Sequence, residues 1–129
     1  MVIIGLVIVA IAAAIHGFIF YLESVAWTTD RARAVFGTTV DEAAATRTMA
    51  FNQGFYNLFL ALQVVAGIVA YGLGAPAVGL GLVAAGAGAM VLAGVVLVIS
   101  SPDKAGAALK QALPPLLGLV ALALGSLPL

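Results

Sequence analysis

Residues 49–71 read MAFNQGFYNLFLALQVVAGIVAY, and the string NQGFYN at 52–57 decides how the whole chain is understood. The stretch is apolar and long enough to cross a membrane, yet it opens on two asparagines, a glutamine and a tyrosine. Moving an unpaired amide or hydroxyl from water into hydrocarbon costs roughly 2–7 kcal/mol, so such groups are expected to face protein, water or a ligand. At about 3.6 residues per turn, Asn52, Tyr56, Phe59, Gln63, Gly67 and Tyr71 fall on one stripe, with Gln53 and Asn57 on its shoulder. The expectation is that this stripe lines the inside of a small helical bundle and forms its functional site.

Outward from that stretch, the chain of 129 residues is 64% hydrophobic and only 8% charged, where a soluble domain carries about a quarter charged residues. A hydrocarbon core about 30 Å thick needs about 20 apolar residues in a helix. Four stretches supply them, over residues 2–22, 49–71, 76–99 and 105–127. The reading is therefore an all-α polytopic membrane protein, a single domain over 1–129 built as a four-transmembrane-helix bundle, with a loop over 24–47. The first stretch lacks a positive n-region and exceeds the usual apolar core of a signal peptide, so it reads as a retained helix.

The absence of cysteine excludes disulfides, thiolate metal sites and cysteine nucleophiles. Five basic residues balance five acidic ones, which leaves no footprint for nucleic acid. Placement of the cations is more informative than their sum. Arg31, Arg33 and Arg47 lie between the first and second spans, and Lys104 and Lys110 lie between the third and the body of the fourth. By the positive-inside rule both segments belong in the cytoplasm and both termini outside.

In the first span, Gly5, Val9, Ala12, His16, Ile19, Glu23 and Trp27 follow steps of three and four and share a face. His16 and Glu23 stand two turns apart, about 10 Å along the axis, too far for direct contact. Two readings of His16 stay open: a structural bond to the second-span stripe or to a backbone carbonyl, and a proton- or ligand-handling role. For Glu23 the choice lies between an ion pair with Arg31, Arg33 or Arg47 and a functional carboxylate. Trp27, with Tyr21 nearby, suits the interfacial aromatic belt.

Thr28 or Thr29 with Asp30 starts a short helix that Gly37 can end in the left-handed conformation. Thr39 and Glu42 have capping-box spacing, so the second long helix starts near Val40 and reaches about 48 Å. The third span has no polar side chain between Ala77 and Ile99. Its ladder Ala77, Gly81, Ala85, Ala89 and Ala93 suits close helix packing, against another span or in a homo-oligomer. Ser101, Pro102 and Asp103 form a helix start, and Pro114 with Pro115 should kink the fourth span.

The strings YLESVAWTTDRARAVFG at 21–37 and AFNQGFYNLFLA at 50–61, with His16 upstream, closely resemble the small bacterial membrane proteins grouped as domain-of-unknown-function family 1304. That resemblance implies four spans and supplies no reaction. A weaker architectural echo is similar to the MAPEG superfamily of eicosanoid and glutathione membrane enzymes. Asn52, Tyr56 and Asn57 overlie part of that superfamily's second-helix pattern, but its arginine and glutamate are missing here, so glutathione binding does not carry over.

Function is expected to rest on an intramembrane pocket between the first and second spans that accepts an amphipathic, lipid- or quinone-like molecule. The candidate ligand-binding residues are His16, Glu23, Asn52, Gln53, Tyr56 and Asn57. The alternatives are a small proton-coupled transporter working through Glu23 and a structural membrane subunit without a ligand. No nucleophile with a base, metal cluster or phosphate loop is readable, so enzymatic activity and cofactor stay open. The expected surroundings are the lipid bilayer of a bacterial inner membrane, crossed several times, with no nucleic-acid partner.

Overall fold

The apolar runs fix four long helices, and their ends follow local signals in the sequence. A computed structural model describes residues 1–126. Helix α1 covers Val2–Phe20 and continues as a π-helical turn, Tyr21–Val25. The short α2 is Asp30–Phe36, α3 is Val40–Gly72, α4 is Pro76–Ser100 and α5 is Ala105–Ser126. Helices α1, α3, α4 and α5 are each long and apolar enough to cross a membrane. No strand occurs among the described residues. Leu127, where the fourth span was expected to end, lies outside the described residues.

Several expected signals act as the physics requires. Thr29 caps α2 by accepting from the Ala32 amide at 3.3 Å, and Gly37 ends that helix with φ 67°. Thr39 and Glu42 form a reciprocal capping box at the start of α3. Others differ. The π turn carries the first span past residue 22 to Val25, while α3 begins at Val40 as the capping box requires. The Ser101 side chain caps nothing; Pro102–Lys104 form a 3₁₀ turn, in which the Lys104 amide donates to the Ser101 carbonyl at 2.9 Å. Helix α5 runs through Pro114 and Pro115 as one element, with Pro115 buried.

The long helices alternate in direction and pack in a ring, α1 on α3, α3 on α4, α4 on α5 and α5 back on α1. Lipid is as apolar as a leucine side chain, so helices in it associate through close packing rather than through hydrophobic burial. Glycine provides that closeness here. A Cβ on Gly67 would lie 2.7 Å from the Gly79 carbonyl oxygen, and one on Gly118 would lie 2.5 Å from a Val9 methyl. Val9, Ala12, Val64, Val83, Ala87 and Met90 are fully buried at the axis.

Two faces are turned differently from expectation. In α3 the inward residues are Ala50, Gly54, Asn57, Ala61, Val64 and Gly67. Asn52 is exposed, and Tyr56 and Phe59 are 63% and 56% exposed, so the polar stripe does not line the interior. The reason is depth. Ser24 Oγ donates to the Phe51 carbonyl at 2.8 Å, and Gly54 abuts Ser24, so NQGFYN lies level with the end of α1, where the apolar run stops. An outward amide at that level meets the interfacial region rather than hydrocarbon, and a tyrosine there suits the aromatic belt. In α4 the inward residues are Gly79, Val83, Gly86, Ala87, Met90 and Gly94. The ladder members Ala77, Gly81 and Ala85 are exposed and Ala89 is half-buried, while Ala93 borders a hollow of the ring at the α2 end.

Candidate functional site

At the α2 end the ring is not filled. The helices enclose a cavity of about 450 Å³, with Val96 and Leu97 of α4 on its apolar wall. Polar groups reach it from every other side: His16 and Glu23 on the first span, Gln53 and Asn57 on α3, Lys104 and Gln111 at and beyond the entry to α5. Trp27 and Phe36 roof it, with ring centroids 5.0 Å apart. The roof is tied to α3, because Trp27 Nε1 donates to Thr46 Oγ1 at 3.1 Å, and that hydroxyl donates to the Glu42 carbonyl at 2.7 Å.

Each inner group is held by its own element. The Ala26 amide donates to the Tyr21 carbonyl at 3.0 Å, the five-residue closure of a π turn. Leu22 and Glu23 are the side chains of that turn that face inward. π turns occur frequently at functional sites. Glu23 is 9% exposed, and its Oε2 accepts from Asn57 Nδ2 at 2.8 Å. Asn57 Nδ2 also donates to the Gln53 carbonyl at 3.3 Å, which fixes the amide. Gly54 makes the approach possible, since a Cβ there would collide with Ser24 Oγ and stand 3.1 Å from Glu23 Cβ.

His16 is 1% exposed and pairs through Nδ1 with the Ala12 carbonyl at 2.9 Å. A carbonyl only accepts, so Nδ1 carries the proton, and in the neutral ring Nε2 is left as an acceptor. Among the described residues nothing bonds to Nε2 or to Glu23 Oε1. The cavity thus offers two unused acceptors on α1, set against amide and ammonium donors from α3 and α5.

Of the expected site residues, His16, Glu23, Gln53 and Asn57 converge on this space. Asn52 and Tyr56 do not; Asn52 Nδ2 satisfies itself on the Thr48 carbonyl at 3.2 Å, one turn back along its own helix. The expected ion pair of Glu23 with an arginine does not form. Among the described residues the only ion pair joins Arg33 to Asp30. Lys104 and Gln111 were missed by sequence reasoning, although a glutamine inside the fourth span was a visible sign. Among the described residues no three metal-ligating side chains come together.

The cavity is continuous in its lining with a second hollow of about 580 Å³. Glu23, Trp27, Gln53 and Lys104 border both, and the second runs out past Thr38, Thr46 and Asp103. Polar side chains thus border the two hollows from His16 out to Asp103.

Four membrane-length helices in a ring, with a polar hollow at one end, define a small polytopic membrane protein. A family model described as "Protein of unknown function (DUF1304)" matches residues 10–123, and the chain belongs to that family. The matched span includes every cavity residue named above. No curated protein and no solved structure matches the chain.

Proposed function

We propose that the protein binds an amphipathic small molecule, lipid-like or quinone-like, with its polar head in the cavity at the α2 end. The single observation that carries this reading is Glu23: a buried carboxylate without a cationic partner, bonded through one oxygen and facing an unfilled space beside His16. A few convergent polar groups on an apolar wall are the usual form of a small-molecule site. Arg31, Arg33, Arg47, Lys104 and Lys110 all lie toward this end, which supports a cytoplasmic placement, with both termini outside and the whole chain acting as one domain in a bacterial inner membrane. The ladder Ala77, Gly81, Ala85, Ala89 and Ala93, exposed over its first three members, supports contact with a second copy.

The test is purification in native-lipid nanodiscs followed by mass spectrometry of the extracted small molecules. The wild type is expected to retain a species enriched over bulk lipid. Glu23→Gln and Gln53→Leu should each lower its occupancy roughly tenfold, the loss of one charge-assisted hydrogen bond or of one donor. Identical extracts from all three proteins would sink the reading and favour a structural subunit. A second reading, a proton-coupled transporter, is favoured by the polar residues that border both hollows. It requires pH-driven flux in proteoliposomes that Glu23→Gln abolishes.

A further inference from the structure

A third hollow lies on the outside of the ring, between α1 and α5 and beneath α2, with a volume of about 650 Å³. Its floor is Ile15, Phe18, Ile19 and Leu22 of the first span and Gly106 of α5. It is open sideways, since Phe18 is 43% and Val35 50% exposed. Phe36, Ala107 and Gln111 separate it from the inner cavity, bordering both.

The charge of this groove differs from that of the inner cavity. It is lined by two cations, Arg31 and Lys110, and by no acidic residue. Neither cation is in an ion pair among the described residues, and the adjacent Asp30 is taken by Arg33. They converge on one level. The Arg31 guanidinium carbon lies 5.3 Å from the centre of the Phe18 ring. Along the antiparallel pair of α1 and α5, Gly5 faces Leu122 and Val9 faces Gly118. The same register sets Lys110 opposite residue 17, beside Phe18.

We infer that this groove is a binding site for an anionic phospholipid, whose phosphate sits between Arg31 and Lys110 and whose acyl chain lies along Ile15, Ile19 and Leu22. Three features argue for that occupant. The groove opens toward the bilayer, where lipid is the solvent. Its long cationic side chains can reach from an apolar wall to a headgroup. Basic pockets between membrane helices are an established way of holding anionic lipid heads. A zwitterionic lipid would bring a choline or ethanolamine against two uncompensated cations.

Native mass spectrometry of the full-length chain in detergent, titrated with phosphatidylglycerol or with phosphatidylcholine of the same acyl chains, tests this. Phosphatidylglycerol is expected to bind more tightly. Its advantage should fall roughly 30-fold in Arg31→Gln/Lys110→Gln and about fivefold in either single variant. Arg47→Gln, a cation outside the groove, should leave it unchanged. Gly106→Leu retains both charges and adds a side chain where a Cβ meets nothing within 4 Å, so it should block the groove in a folded protein. This variant decides the matter if the charge variants do not fold. Equal binding of the two lipids, an undiminished preference in the double variant or in Gly106→Leu, an equal loss in Arg47→Gln, or full competition by soluble glycerol phosphate would each overturn the inference.

Discussion

At the far end of the bundle α3 and α4 touch backbone to backbone, where Gly67 and Gly79 leave no room even for a Cβ. At the α2 end the same ring stands open around a cavity, and contact passes through side chains such as Glu23 on Asn57. The buried residues of that end are apolar, among them Leu6, Val64, Val83 and Leu122. The α2 end gives up packing density for reachable polar groups. Void space forfeits dispersion contacts, so a bundle that needed only to hold together would be expected to close at both ends. This contrast stands beside the buried Glu23 as support for an occupant.

Four single substitutions and one double variant sharpen or break the comparison, measured as unfolding of the full chain in detergent and, on the outer face, also as ligand retention. The largest effect is expected at the packed end. Gly67→Val forces atoms into the Gly79 carbonyl and the Val83 side chain and should cost about 3 kcal/mol, near the top of the range for overpacking. A tolerated valine would show that the backbone contact is not what holds α3 to α4. Asn57→Leu at the open end should cost about 2 kcal/mol by leaving Glu23 buried without its donor. Asn57→Leu combined with Glu23→Leu should recover most of that loss, whereas simple additivity would mean that the two residues do not act as a pair. The smallest effects are expected on the outer face. Asn52→Leu and Tyr56→Phe should each stay within about 0.5 kcal/mol and leave ligand retention intact. A large loss of retention from either would return the site to the outer face of α3.

These outer residues also show how far the sequence could be read. Span number, the Thr39 capping box and the Gly37 stop depend on neighbours a few residues away, so they are visible in the string itself. Which way a helix turns depends on its partners. In α3 the amides suggested an inward stripe through Asn52 and Tyr56, yet Asn52 finds its acceptor one turn back and needs no interior. The inward face follows Gly54, Ala61 and Gly67, where small size allows approach. In α4 the small-residue ladder was compatible with another span or a second copy, and its spacing could not choose between them. The contact inside the ring is made by Gly79, Gly86 and Gly94, interleaved with Val83 and Met90. Lys104 and Gln111 enter the site only because α5 closes the ring against α1, a pairing across about 100 residues that no local spacing encodes.

The wide turn at Tyr21–Val25 carries a further consequence for how this chain tolerates changes of length. Five residues of π turn cover about the same rotation as four of regular helix, so loss of a single residue there, such as the exposed Val25, should restore regular pitch and leave Trp27 over Thr46. The same loss from regular α3, such as the exposed Tyr56, has no such slack and would turn one side of the break by about 100°, taking Asn57 off Glu23. Deletions should therefore be far better tolerated in the wide turn than in the helix packed against it.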